Sequence, residues 1–116
     1  MLFDTSIVID VLKKLRPYEY GSISTITLLE TIRGTDESKM TEVLVSLQQM
    51  YQIYDLDNSI VLAYSRLYRK LKEGKVKIGD ADLIIAATAY AKGEVLKTKD
   101  SDFDVLLGIL DIRKEH

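Results

Sequence analysis

The sequence has no cysteine, and its only histidine is the last of its 116 residues, His116. The first absence excludes disulfides, thiolate nucleophiles and thiolate-ligated zinc. The second excludes chemistry that needs an imidazole held by packing. A Ser-His-Asp triad, a histidine general base and a His-rich metal site all require that, and a chain terminus does not supply it. No basic stretch precedes the first apolar run, and Asp4 interrupts that run at once. No uncharged stretch approaches the ~18 residues of a membrane span. These absences predict a cytoplasmic chain with no targeting signal and no membrane segment.

With 47% hydrophobic and 29% charged residues, the chain is apolar enough to form a core and does not read as intrinsically disordered. Its length predicts a single domain over residues 1–116, since two independent cores need a longer chain. Chemistry must come from carboxylates, hydroxyls, Lys, Arg and Tyr. Clustered carboxylates without imidazole or thiolate suit a hard divalent cation such as magnesium or manganese, and disfavour zinc. The net charge of −2 is poor for a nucleic-acid binder. If four acids sat in one metal site, however, the remaining 14 against 16 Lys and Arg would leave +2 on the rest of the chain. Charge alone decides nothing.

Along the chain, Met1 to Asp4 reads as a short buried strand ending in an acid. Thr5 or Ser6 then offers an N-cap for a helix from Ile7 to Leu15. Gly21 to Thr25 reads as a second strand, with Thr25 or Thr27 opening a helix that stops at Gly34. Met40, Val43, Leu44 and Leu47 predict a helix over 39–50, and Gln52 to Leu56 a third strand. Asp57 or Asn58 caps a helix whose stripe is Ile60, Tyr64, Leu67, Tyr68 and Leu71, ending at Gly74. Gly79-Asp80 opens a helix to Lys92. Glu94 to Thr98 then reads as a strand, Asp102 to Leu107 as a helical turn and Ile109 to Ile112 as a last strand. Strands alternating with helices predict an α/β domain, its mainly parallel sheet covered on both faces. Ligands gather at the carboxyl edge of such sheets, where Asp4 and Asp100 both fall.

Four acids stand out by position: Asp4, Glu30, Asp82 and Asp100. Each has an ordinary structural role open to it. Asp4 could end a strand and cap a helix, Glu30 could pair with Arg33, Asp80 and Asp82 could complement a helix dipole, and Asp100 and Asp102 could serve a turn. Two details resist these roles. Asp82 shares a stripe with Ile85, Ala86 and Ala89, so it aligns with a buried face where a lone carboxylate is costly. Glu30 sits in the last turn before Gly34, where the helix dipole disfavours negative charge. Metal ligation would offset both costs.

Leu2-Phe3-Asp4-Thr5-Ser6, Ile26 to Glu30 followed by Gly34, Asp82 to Ala89, and Thr98-Lys99-Asp100-Ser101-Asp102-Phe103 together resemble, in order, the signature of PIN-domain ribonucleases. Within that family they are most similar to the short VapC-type toxins, and the resemblance runs from Leu2 to about Phe103. It implies a three-layer fold, a mainly parallel sheet flanked by helices. It also implies a magnesium- or manganese-dependent endoribonuclease whose metal and catalytic acids are Asp4, Glu30, Asp82 and Asp100. Asp102 is a substitute for Asp100, and Asp80 a helix cap or outer partner. Thr5, Ser6 and Thr98 would supply hydroxyls that orient carboxylates or water. The family further implies a homodimer and a small VapB-type antitoxin partner.

Arg66, Arg69, Lys70, Lys72, Lys75 and Lys77 crowd the end of one helix and its exit loop. They read either as a solvated face or as phosphate contacts along an RNA strand, to which Lys99 could add. Tyr64 and Tyr68, one turn apart, read first as core packing with hydroxyls at the rim, then as dimer contacts or base stacks. Three other functions stay open: a housekeeping RNA-processing nuclease, an inactive binding module, and a receiver-like domain. In the last, Asp55 or Asp57 would be the phosphoacceptor and Thr98 and Lys99 the switch residues.

Overall fold

A computed structural model describes residues 1–115. His116, the residue denied a catalytic role above, lies outside the described residues. The elements are β1 (Leu2–Phe3), α1 (Thr5–Leu12), β2 (Ser22–Ser24), α2 (Thr25–Arg33), α3 (Met40–Met50), β3 (Gln52–Tyr54), α4 (Asn58–Glu73), α5 (Asp80–Lys92), β4 (Leu96–Thr98) and β5 (Ile112–Lys114). Short 3-10 segments precede α3 and follow β4, at Glu37–Lys39 and Ser101–Leu106.

The strands lie in the order β3-β2-β1-β4-β5, and every neighbouring pair is parallel. The expected parallel sheet is therefore present, with no antiparallel strand among the described residues. Side chains alternate across it. Leu2 and Leu96 join the core under α4 and α5. Phe3 and Ile23 join a second core under α1, α2 and α3. Helices thus cover both faces in three layers. Lys97, between Leu96 and Thr98, faces the second core. Its nearly buried ammonium is tolerated because Glu19 (2.7 Å) and Glu115 (3.3 Å) neutralise it.

The chain runs from β1 outward through β2 and β3, then returns to place β4 on the other side of β1. The order reverses between β1 and β4, which opens a crevice at their carboxyl ends. Leu2 pairs with Leu96 and Phe3 with Lys97. The Asp4 amide donates to the Lys97 carbonyl at 3.1 Å. Asp4 therefore sits beside Thr98, and Asp100 follows two residues later.

Local sequence explains most boundaries, and the departures have physical causes. The first helix begins at Thr5 because Asp4 itself is the N-cap, its Oδ1 accepting from the Ile7 amide at 3.2 Å. It ends at Leu12, not Leu15, because Lys14 turns left-handed at φ 60°. Ser24, not Thr25 or Thr27, caps α2. The last strand lies at Ile112–Lys114, after the predicted Ile109 to Ile112. Gly108 at φ 89° turns the chain back there, and the Leu110 amide stays bonded to the Leu106 carbonyl.

The strand order also rules out the receiver-like reading, whose sheet runs 2-1-3-4-5. Asp57 caps α4 and is ion-paired with Lys92, while Thr98 and Lys99 hold other acids.

One position tests the close approach of β1 and β2. A Cβ on Gly21 would lie 2.4 Å from Phe3 Cε2 and 2.8 Å from the Met1 carbonyl oxygen, whereas one on Gly34 meets nothing nearer than 3.7 Å. Gly21→Ala is expected to destabilise by about 1–3 kcal/mol through overpacking. Gly34→Ala should change stability by less than about 0.5 kcal/mol. Thermal unfolding of the two variants checks this.

Candidate metal centre

The crevice between β1 and β4 gathers acids from four parts of the chain. Asp4 ends β1, Glu30 lies in the last turn of α2, Asp82 in the first turn of α5, and Asp100 and Asp102 follow β4. Asp82, Asp100 and Asp102 come nearest to one another: each offers a carboxylate oxygen, and these oxygens all lie within 4.8 Å. Asp102 therefore joins Asp100 and does not merely replace it. Asp4 and Glu30 lie outside that tight group yet act on it through space.

Their charges register on Asp82. Its pKa is pushed up to about 6, first by burial and then by the negative charges of Asp100, Glu30, Asp102 and Asp4. The Asp4 carboxyl is also raised, chiefly by burial, against the lowering effect of its hydrogen bonds from Ser6, Thr98 and the Ile7 amide.

Neutral hydroxyls hold the carboxylates. The Thr98 hydroxyl donates to Asp4 Oδ2 at 2.6 Å and accepts from the Asp100 amide at 2.9 Å, so one side chain fixes two of the acids. Ser6 donates to Asp4 Oδ1 at 2.6 Å. Thr5 donates to Glu30 Oε1 at 2.6 Å and shares a 3.2 Å bond with the Thr27 hydroxyl. Thr5, Ser6 and Thr98 thus each donate to a carboxylate of Asp4 or Glu30. Thr27, fully buried, was not among the expected site residues. Its signal was present: it lies one turn before Glu30 on the same face of α2.

Basic side chains do not share this arrangement. Among the described residues, none pairs with Asp4, Asp82, Asp100 or Asp102, and Glu30 has only exposed Arg33 at 3.9 Å. Lys99, expected at RNA, is instead held by Asp10 at 2.7 Å, a contact the sequence reading missed. Asp80 caps nothing and stands outside the cluster; it accepts from Tyr64 Oη at 2.8 Å and ties α4 to α5. Arg66, Arg69 and Lys70 are solvent-exposed on α4.

Like charges crowded this closely, Asp82 and Asp100 half-buried and neither paired with a basic side chain among the described residues, fit a hard divalent cation, which carboxylate oxygens bind preferentially. The donor set contains neither sulfur nor nitrogen.

The PIN domain family model matches residues 1–106, and the chain belongs to the PIN-domain family. Within it, the chain is 43% identical over 102 residues to Ribonuclease VapC1 of Methanocaldococcus jannaschii, covering 86% of this chain and 75% of that one. It is 30% identical over 92 residues to Ribonuclease VapC4 of Mycobacterium tuberculosis, covering 74% and 70%. The fold is that of the crystal structure of DNA-bound VapBC from Salmonella typhimurium, with TM-score 0.85 at 21% identity over 97% of this chain and 96% of that one.

The raised carboxyl of Asp82 has a measurable consequence. An acid whose pKa is higher folded than unfolded costs stability wherever it is charged in both states. Here that cost is complete above about pH 6 and disappears as pH falls toward the ordinary value of 3.8. In chelator, Asp82→Asn is expected to melt above the wild type at pH 7–8, and the gap should close toward pH 4. Unfolding curves across that range check it, and a pH-independent gap would contradict the electrostatic assignment.

Proposed function

We propose that this chain is a metal-dependent endoribonuclease that hydrolyses RNA phosphodiester bonds, the toxin half of a toxin–antitoxin pair. The observation that carries the reading is the crowd of acids at the β1/β4 crevice, with hydroxyls aiming Asp4 and Glu30 and with no basic side chain, among the described residues, paired with Asp4, Asp82, Asp100 or Asp102. The names of the relatives, Ribonuclease VapC1 and Ribonuclease VapC4, support the RNA substrate. VapBC complexes among the structures of like fold support a small VapB-type antitoxin partner.

In this reading Asp4, Glu30, Asp82 and Asp100 hold magnesium or manganese, with Asp102 beside them. The cation supplies a bound water of lowered pKa and a counter-charge for the phosphate oxygens. The chain's own contribution is aim. Thr98 and Ser6 fix both oxygens of Asp4, and Thr5 fixes Glu30, so the donor atoms face the crevice before a ligand arrives. No imidazole is needed.

Residues 1–116 act as one domain and assemble as a homodimer in the cytoplasm. No helix among the described residues is long and apolar enough to cross a membrane.

The test is cleavage of a total cellular RNA pool with magnesium or manganese. Asp4→Asn and Asp82→Asn should each lose at least about 100-fold of the activity, because removing a ligand costs no less than removing its outer partner. Thr98→Val should lose about 10- to 100-fold. A chelator should abolish cleavage. Cleavage that persists in chelator, or in both aspartate variants, overturns the reading.

A further inference from the structure

The exit of α4 carries a cavity outside the acid cluster. Tyr68, Leu71 and Val76 wall a space of about 490 Å³ between α4 and the loop that leads to α5. That size lies within the range of small-molecule sites, about 300–1,000 Å³. Three lysines stand around it, Lys72, Lys75 and Lys77, and no acid lines it. None of the three forms an ion pair among the described residues.

The cavity adjoins the proposed metal centre across one wall. Lys77 and Ile78 line it on one side. On the other they line a second hollow, also about 490 Å³, that contains Asp102 and Ser101. Lys77 and Ile78 therefore stand between an acid of the cluster, Asp102, and the hollow walled by Tyr68.

Helix geometry selects which cations stand on this side of α4. With 100° per residue, Tyr64, Tyr68 and Lys72 share one flank of α4. That flank faces the catalytic end of α5, as the bond from Tyr64 to Asp80 fixes. Arg66 and Lys70 fall on the other side of the buried stripe Ile60, Ala63, Leu67 and Leu71. The lysines at the helix exit, and not the arginines within the helix, are the cations on the side of the crevice.

Resting on the nuclease reading, we infer that this cavity is a subsite for an unpaired nucleotide of the RNA. The base lies against Tyr68 between the apolar walls, and the neighbouring phosphates lie on Lys72, Lys75 and Lys77. Tyr68 is 49% exposed and already stacks on Tyr64, with ring centroids 6.3 Å apart and planes 18° apart. A base would extend that stack, as bases do on the aromatic platforms of single-strand binders. Charge complementarity commits the site to a polyanion, and the apolar wall commits it to one whose bases are free to leave a duplex.

The test measures binding apart from chemistry. The full-length protein in chelator is titrated with a fluorescein-labelled 12-nucleotide mixed-sequence single-stranded RNA, and with the same backbone lacking bases, by anisotropy at several salt concentrations. Tyr68→Ala should weaken the RNA by about 5- to 150-fold, the range for loss of one stacked base, and leave the abasic strand unchanged. Lys72→Ala, Lys75→Gly and Lys77→Ala combined should reduce the salt slope by about 2, at about 0.7 for each phosphate contact on a single strand.

Lys75→Gly alone guards against a folding artefact. Lys75 holds a left-handed backbone at φ 56°, a conformation glycine adopts freely, so this variant should keep the wild-type melting temperature while losing RNA affinity. Arg66→Ala with Lys70→Ala should bind as the wild type does.

Wild-type affinity in the Tyr68 and lysine variants overturns the subsite, as does a loss confined to the Arg66/Lys70 pair. Loss of binding to an acidic peptide in place of RNA overturns it in favour of a protein-docking groove. Cleavage of the same RNA by the wild type with manganese is scored separately. If the wild type cleaves and the variants both bind and cleave normally, the subsite alone fails; if the wild type never cleaves, the nuclease reading fails first.

Discussion

Mutual repulsion among carboxylates at one end of the sheet is the constraint to which the rest of the molecule answers. Five acids share the β1/β4 crevice, and the Asp82 carboxyl is pushed up to about 6, first by its burial and then by the charges of the other four. A protein selected only for stability would place a lysine or arginine among them. This one uses threonine and serine, which fix the carboxylate oxygens without cancelling their charge. Among the described residues, of the cations near in sequence only exposed Arg33 reaches an acid of the site, Glu30 at 3.9 Å; Lys97 is engaged with Glu19 and Glu115, and Lys99 with Asp10 on α1. The negative potential is thereby kept for a cation from solution, at a cost in stability of the metal-free chain.

The fold supplies the crevice through connectivity. Strands of two or three residues carry little sheet of their own, yet their register sets Asp4 beside Thr98. The reversal of strand order at β1 leaves the carboxyl ends of β1 and β4 free of a crossing helix, so the chain following each strand is available to the site. Two helices close the site from either face: α2 brings Glu30 and Thr27 from one layer, and α5 brings Asp82 from the other.

The layered α/β plan was legible because helical stripes such as Ile60, Tyr64, Leu67, Tyr68 and Leu71 in α4 repeat over several turns, although the structure buries Ala63 in that stripe and leaves Tyr68 exposed at its edge, and because Gly34, Gly74 and Gly93 mark helix ends. The candidate acids were legible by misfit: Asp82 on a buried stripe and Glu30 at the wrong end of a dipole. Short-range features were harder. Asp4, Thr5 and Ser6 all make acceptable caps, and only packing of β1 against β4 selects Asp4. The last strand was displaced because the turn at Gly108 competes with strand propensity over Ile109 to Ile112. The roles of Asp10, Thr27, Asp80 and Lys99 depend on partners 16 to 89 residues away, or on a neighbouring helix face, which local pattern does not encode. The basic run from Arg66 to Lys77 was visible as a run, but its division into a flank facing the crevice and a flank facing away needed the orientation of α4.

The central claim is that the acid crowd is a cation site. Anomalous diffraction from crystals soaked in manganese tests it most directly. The account predicts a peak in the crevice between β1 and β4, within coordination distance of Asp82 and Asp100, which is lost in Asp82→Asn crystals. A manganese-soaked wild-type crystal with no peak there, or a peak only at acids elsewhere on the surface, would contradict it.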